Sequence, residues 1–145
     1  MPDCSAPENR QFDFWIGEWA PQNVQGVTVG TSSIQLILKS CIIFENWNTP
    51  VSAGKSFNLY DVKDGKWHQT WVDNSGMLLL LEGQFNGKSM VLEGKTIDQA
   101  AKETKHRITW TPNADGSVRQ LWESTDAKGA WTVAFDGLYK RISSP

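Results

Sequence analysis

Most of this chain is written in period two. From Glu18 onward, apolar and polar residues alternate in short blocks, the spacing at which successive side chains point to opposite faces of a strand. Blocks at Thr28 to Leu38, Ile42 to Trp47, Lys55 to Asp61, Lys66 to Asp73, Leu78 to Phe85, Met90 to Lys95, Lys105 to Thr111, Val118 to Ser124 and Trp131 to Lys140 read as strands. A further one around Trp19 to Val24 brings the count to about ten. The dipeptides Asp64-Gly65, Asn86-Gly87 and Asp115-Gly116 suit tight hairpins, and Asn74-Ser75-Gly76 and Ala127-Lys128-Gly129 slightly longer ones. Ile97 to Thr104 reads as the longest loop. No helical stretch long enough for a parallel crossover separates the blocks, so neighbours in sequence pair in space as an up-and-down antiparallel meander. Closing that meander into a barrel removes the edge strands that would template aggregation, and a barrel wider than about eight strands has room inside for a ligand.

Only the N-terminal segment departs from this pattern. Ser5-Ala6-Pro7-Glu8 has the form of a capping box with proline in the first turn, which predicts a short helix from about Ala6 to Phe14 that Gly17 ends. Phe12 and Trp15, three apart, share a face and are expected to plug one end of the barrel. The expected organisation is a single domain over residues 1–145, with a helix over about 5–15 and a barrel over 18–141.

A chain of 145 residues with 39% hydrophobic and 21% charged residues has the composition of one ordinary globular domain. No apolar run approaches the roughly 20 residues of a membrane-spanning helix. The formal charge is −2, with both signs interspersed, so no basic stripe is present to neutralise phosphates and nucleic acid is not an expected partner. Met1-Pro2-Asp3 does not read as the start of an export leader. The two cysteines, Cys4 and Cys41, stand far apart and outside any metal-ligand spacing. They read either as two buried thiols or as a bridge tying the N-terminal segment to the barrel.

Eight tryptophans give this alternation its chemistry. If they mark the interior, Glu45 beside Trp47, Gln69 between Trp67 and Trp71, and Gln120 beside Trp122 point inward with them, as do Ser56, Asn58 and Tyr60. Buried polar groups left without a partner cost about 1–3 kcal/mol each, so these must pair with one another, with water or with a ligand. Glu45 and then Asp73 are the candidate catalytic carboxylates, since an apolar lumen raises a carboxyl pKa and makes it a usable base. Arg107 falls on a strand whose faces are hard to assign. Facing inward, it would pair with Glu45 or hold a ligand carboxylate; facing outward, it is solvated. His68 reads as a surface residue, and neither it nor His106 has ligand-type neighbours at zinc spacing, so no metal is expected. The run Met77-Leu78-Leu79-Leu80-Leu81 puts leucine on both faces, which calls for an outer cover by the N-terminal helix or by a second copy of the chain in a homodimer, or else makes an unusual exposed patch.

Phe12-Asp13-Phe14-Trp15-Ile16-Gly17-Glu18-Trp19, Glu45-Asn46-Trp47, Gly54 to Asp61, Trp67 to Asp73 and Arg107-Ile108-Thr109-Trp110 together resemble a family of bacterial proteins of unknown function, DUF1579-type and lipocalin-like. The resemblance covers almost the whole chain. It implies a calycin-like barrel and, because many members carry export leaders, a periplasmic or secreted location; without that resemblance the default is cytoplasmic. It implies no established activity. The chain departs from the family pattern at Ala20-Pro21 and at Met77 and Leu80, as a divergent member or an engineered lumen would. The outline is also similar to nitrobindin-like barrels, but the glycine pattern and ligand histidine of a haem site are not evident, so no cofactor is expected.

The expectation is therefore an all-β, ten-stranded barrel that binds a small flat or apolar, hydrophobic or aromatic molecule. Trp47, Trp71, Trp122 and Tyr60 supply stacking surface, and Asn58, Gln69, Arg107 and Gln120 orient a polar end. The rival is an enzyme on the same barrel, with Glu45 as general base on a small aromatic substrate.

Overall fold

The alternating blocks become ten strands in the computed structural model, which describes residues 4 to 142. They are β1 (Gly17–Gln22), β2 (Thr31–Ile37), β3 (Ile42–Asn48), β4 (Ala53–Asp61), β5 (Lys66–Asp73), β6 (Leu78–Phe85), β7 (Met90–Ile97), β8 (Glu103–Pro112), β9 (Val118–Thr125) and β10 (Trp131–Arg141). Each strand pairs antiparallel with its sequence neighbours, and β1 pairs with β10, so the sheet is a closed barrel. Gly65, Gly87 and Gly116 all take positive φ in their hairpins, where a side chain would be strained. The stretch read as the longest loop is tighter than expected. The β7–β8 ladder extends to Ile97↔Glu103, and the Asp98 carboxylate accepts from the N–H groups of Ala100 and Lys102 within the turn.

The entry segment forms two short 3₁₀ helices, Pro7–Arg10 and Asp13–Trp15, in place of one α-helix. The first has its N-cap at Ala6, one residue beyond the expected Ser5. In a 3₁₀ turn residues three apart eclipse, which suits the requirement that Phe12 and Trp15 enter the barrel together. Both are fully buried, their rings 4.9 Å apart and stacked, and Phe12 also meets Trp110 at 5.1 Å and Trp67 at 5.6 Å. Trp19 donates its indole N–H to the Trp15 carbonyl. One end of the barrel is thus a solid aromatic plug.

A disulfide joins Cys4 to Cys41, with Cα atoms 5.2 Å apart. It ties the plug segment to the β2–β3 turn, where Leu38, Lys39 and Ser40 all have positive φ. Arg10 also donates to the Ser40 carbonyl. These tethers hold a left-handed turn that otherwise costs about 1–2 kcal/mol per residue.

Pro21 sits within β1 of a barrel that has no edge, and the local ladder explains why it is tolerated. β1 pairs with β2 only from Gly17↔Ile34 to Trp19↔Ser32. The Pro21 carbonyl accepts from Val29 on that same side, so the missing N–H faces a stretch where the ladder has ended. Arg141 of β10 holds β1 from its other side: it lies 4.2 Å over the Trp19 ring and donates to the carbonyls of Ile16, Phe14 and Gly116.

Outside, Leu78 and Leu80 are exposed beside Val72 and Phe57. The expectation that the N-terminal helix covers them is not met, because that segment packs its aromatic rings into the barrel end. No helix among the described residues is long and apolar enough to cross a membrane. The leader reading rests on residues 1 to 3, which lie outside the described residues.

Candidate functional site

The register stacks the interior into rows. Tyr60↔Trp67 lies at the plug, Asn58↔Gln69 comes next, Ser56↔Trp71 above that, and Gly54↔Asp73 at the far end. β3 adds Ile43 opposite Asn58, Glu45 opposite Ser56 and Trp47 opposite Gly54. The plug fills the first row. Away from it the small residues Ser56 and Gly54 face Glu45 and Trp47, and the interior opens into a cavity of about 320 Å³. Trp47, Trp71, Trp122, Phe135 and Tyr139 wall it, with Leu79 and Ile108, and Glu45, Gln69, Gln120, Ser52 and Asp73 supply polar atoms.

The eight tryptophans therefore divide by position. Trp15, Trp19, Trp67 and Trp110 are fully buried in and around the plug. Trp47, Trp71 and Trp122 line the cavity, and Trp131 lies on the outer wall. Sequence alternation puts Trp131 and Val133 on the same face as Phe135, Gly137 and Tyr139. A bulge between Val133 and Phe135 reverses the facing, leaving Trp131 and Val133 outside while Phe135 and Tyr139 turn in.

A directed chain of hydrogen bonds ends on Glu45. Gln69 donates to Asn58 Oδ1 (2.7 Å), Asn58 donates to Ser56 Oγ (2.9 Å) and to the Ile43 carbonyl, and the Ser56 hydroxyl donates to Glu45 Oε1 (2.6 Å). Burial lifts the Glu45 carboxyl from 4.5 to about 7, against the pull of the Ser56 bond. The same burial, with the Glu45 charge beside it, holds the Tyr139 phenol well above its ordinary value. Asp73 moves the other way. Its partial burial is outweighed by bonds from Ser75, Trp71 and Met77, which hold it below the ordinary carboxylate range. Asp73 is thus a weak base, and of the two candidate catalytic carboxylates only Glu45 has the raised value expected of a lumenal base.

All three cavity indoles turn their N–H groups into the protein: Trp47 to Ser52 Oγ (3.2 Å), Trp71 to Asp73 Oδ2 (3.1 Å) and Trp122 to His106 Nδ1 (3.1 Å). His106 is buried behind Trp122, its Nε2 set 2.9 Å from Thr96 Oγ1, and desolvation lowers its pKa. Gln120 is more than nine-tenths buried, lines the cavity, and has a side-chain oxygen with no partner among the described residues.

Of the residues expected to bind ligand, Trp47, Gln69, Trp71, Gln120 and Trp122 meet at the cavity. Asn58 is inward but fully engaged in the network beneath. Tyr60 is at the other end, its ring 6.2 Å from Trp67, and supplies no stacking surface. Arg107 faces outward: it bonds Glu123 and lies 4.3 Å over the exposed Trp131, so it pairs with neither Glu45 nor a lumenal ligand. His106, Ile108 and Trp110 are the inward residues of that strand. Sequence reading overlooked Ser52, Phe135 and Tyr139, although the last two share a face of β10 that alternation identifies. Outside the barrel, Asp61, Asp64 and His68 offer ligand atoms within 4.8 Å of one another, a grouping that spacing alone did not reveal. Asp61 and Asp64 there accept from the Lys63 and Lys66 N–H groups as ordinary turn residues, and the group does not by itself make a metal centre.

Comparison with protein-family models and with curated proteins finds no match for this chain.

Proposed function

We propose that this protein binds a small, flat or apolar molecule in the open half of its barrel. The observation that carries the reading is the cavity-lining Gln120 amide, whose oxygen is buried without a partner beside about 320 Å³ of aromatic-walled space. A group of that kind costs about 1–3 kcal/mol unless something completes it. The volume is roughly twice the ~150 Å³ that accommodates a benzene ring. Mass spectrometry of the purified protein, followed by adding the recovered compound back, tests this. Recovery of an unchanged compound that quenches tryptophan emission supports a carrier. No co-purifying compound and no quenching by any aromatic probe would overturn it.

Glu45 favours one second reading, an enzyme with this carboxyl as general base on a small aromatic substrate. A pKa of about 7 in an apolar site is the value such a base needs. Its signature is turnover of the bound compound with a pH profile that Glu45→Gln abolishes, and a profile unchanged by that substitution removes it. Kinship with the DUF1579-type family is part of the proposal, supported by the ten-stranded closed topology. So is an oxidising location, periplasmic or extracellular, supported by the Cys4–Cys41 bridge.

A further inference from the structure

We infer that the molecule held in the lumen is an organic cation, an amine or quaternary ammonium on an aromatic or apolar body. This rests on the reading of the lumen as a binding site and adds the charge of the occupant. Two acids, Glu45 and Asp73, line the cavity, and among the described residues none that lines it is Lys, Arg or His. The nearest histidine, His106, has Nδ1 engaged by the Trp122 N–H and Nε2 beside Thr96 Oγ1.

The walls select in the same direction. Trp47, Trp71 and Trp122 spend their N–H groups on Ser52, Asp73 and His106. What they offer the cavity is the ring, whose electron-rich face attracts cations and repels anions. The donors of the interior network are spent within the protein, from Gln69 through Asn58 and Ser56 to Glu45. An anion entering here meets few donors and two carboxyl groups. A cation meets aromatic rings on several sides and a carboxylate at the end of the chain.

Asp73 stays ionised at the outer row, where it attracts a positive ligand toward the mouth. Glu45 lies deeper. Burial penalises its charge, and an ammonium beside it removes that penalty, so binding near neutral pH draws a proton off Glu45 and releases it to solvent. The other titratable groups in and behind the cavity do not change charge in that range: Tyr139 from β10 stays neutral, Asp73 from β5 stays ionised, and His106 behind Trp122 on β8 is neutral. Cation affinity therefore rises with pH through about 7.

Three probes of nearly one shape test this: benzyltrimethylammonium, its neutral carbon isostere neopentylbenzene, and the anion phenylacetate. Calorimetry and tryptophan emission are read on the whole protein and on Glu45→Gln. The expected result is that the cation binds roughly tenfold or more tightly than the neutral isostere and that phenylacetate does not compete. In Glu45→Gln the preference for the cation falls and its rise with pH is lost. Equal or tighter binding of the neutral isostere by the unaltered protein overturns the inference and leaves the lumen reading standing. Silence from all three probes overturns both.

Discussion

The ring of Trp71 lies directly over Gly54, so that a Cβ on Gly54 would stand 2.2 Å from Cη2 of the indole. The two face each other diagonally across β4 and β5, and the indole cannot swing aside freely because its N–H is held by Asp73. Gly54→Ala must displace the ring into the cavity or break that bond. The expected outcome is a destabilisation of about 1–3 kcal/mol with a changed near-ultraviolet circular dichroism and loss of ligand-induced quenching. Binding and spectrum both unaltered in this variant would show that the ring has a second resting place.

Glu45 makes stability fall as the solution becomes less acid. Its folded-state value, about 7, lies above the ordinary 4.5, so its contribution is fully present below about pH 4.5 and is lost as pH rises through 7. The whole loss is about 3 kcal/mol by the size of the displacement. Glu45→Gln should therefore be flatter in denaturant midpoint between about pH 5 and about pH 8, gaining on the parent protein at the upper end. Parallel curves for the two proteins would mean that the carboxyl is better solvated than its burial implies.

Reduction of the Cys4–Cys41 bridge releases a loop of 37 residues. Chain entropy alone puts the stabilisation at about 4 kcal/mol, less whatever the left-handed turn at Leu38, Lys39 and Ser40 regains by relaxing. Replacing both cysteines by serine should lower the thermal midpoint accordingly, and the parent protein measured in reductant should match the double variant. A midpoint indifferent to reductant would show that the bridge constrains little of the unfolded chain.

Arg107 serves as the external control. Its guanidinium meets Glu123 and the face of Trp131 at the surface, interactions worth about 1 kcal/mol or less. Arg107→Ala should leave ligand affinity unchanged and shift stability by no more than that. A marked loss of binding would place the guanidinium inside.

The strand pattern was plain in the sequence because period two survives wherever one face is buried, and every observed strand overlaps an alternating block. Alternation fails where the ladder itself is irregular. The bulge in β10 turned Trp131 outward although its spacing matched Tyr139, and a bulge leaves no mark in a list of hydrophobic positions. Arg107 was ambiguous for another reason: its strand carries polar residues on both faces, and only pairing with Glu123 and Trp131 settles the side. Tyr60 has the right face but the wrong end, since depth along the barrel depends on strand stagger, which sequence order does not encode. Glu45, Gln69 and Gln120 were legible because each lies two residues from a tryptophan on the same strand face.

The seam at β1 has one more consequence. A ring of strands breathes where its ladder is shortest, and here that is the short run from Gly17↔Ile34 to Trp19↔Ser32. Amide hydrogens of β1 should exchange with solvent sooner than those of the central hairpins, and because Ile34 and Ser32 pair onward with Glu45 and Trp47, water that enters by this route reaches the wall of the chamber. An occupant of the chamber sits behind the weakest joint of the wall, and its binding should slow that exchange.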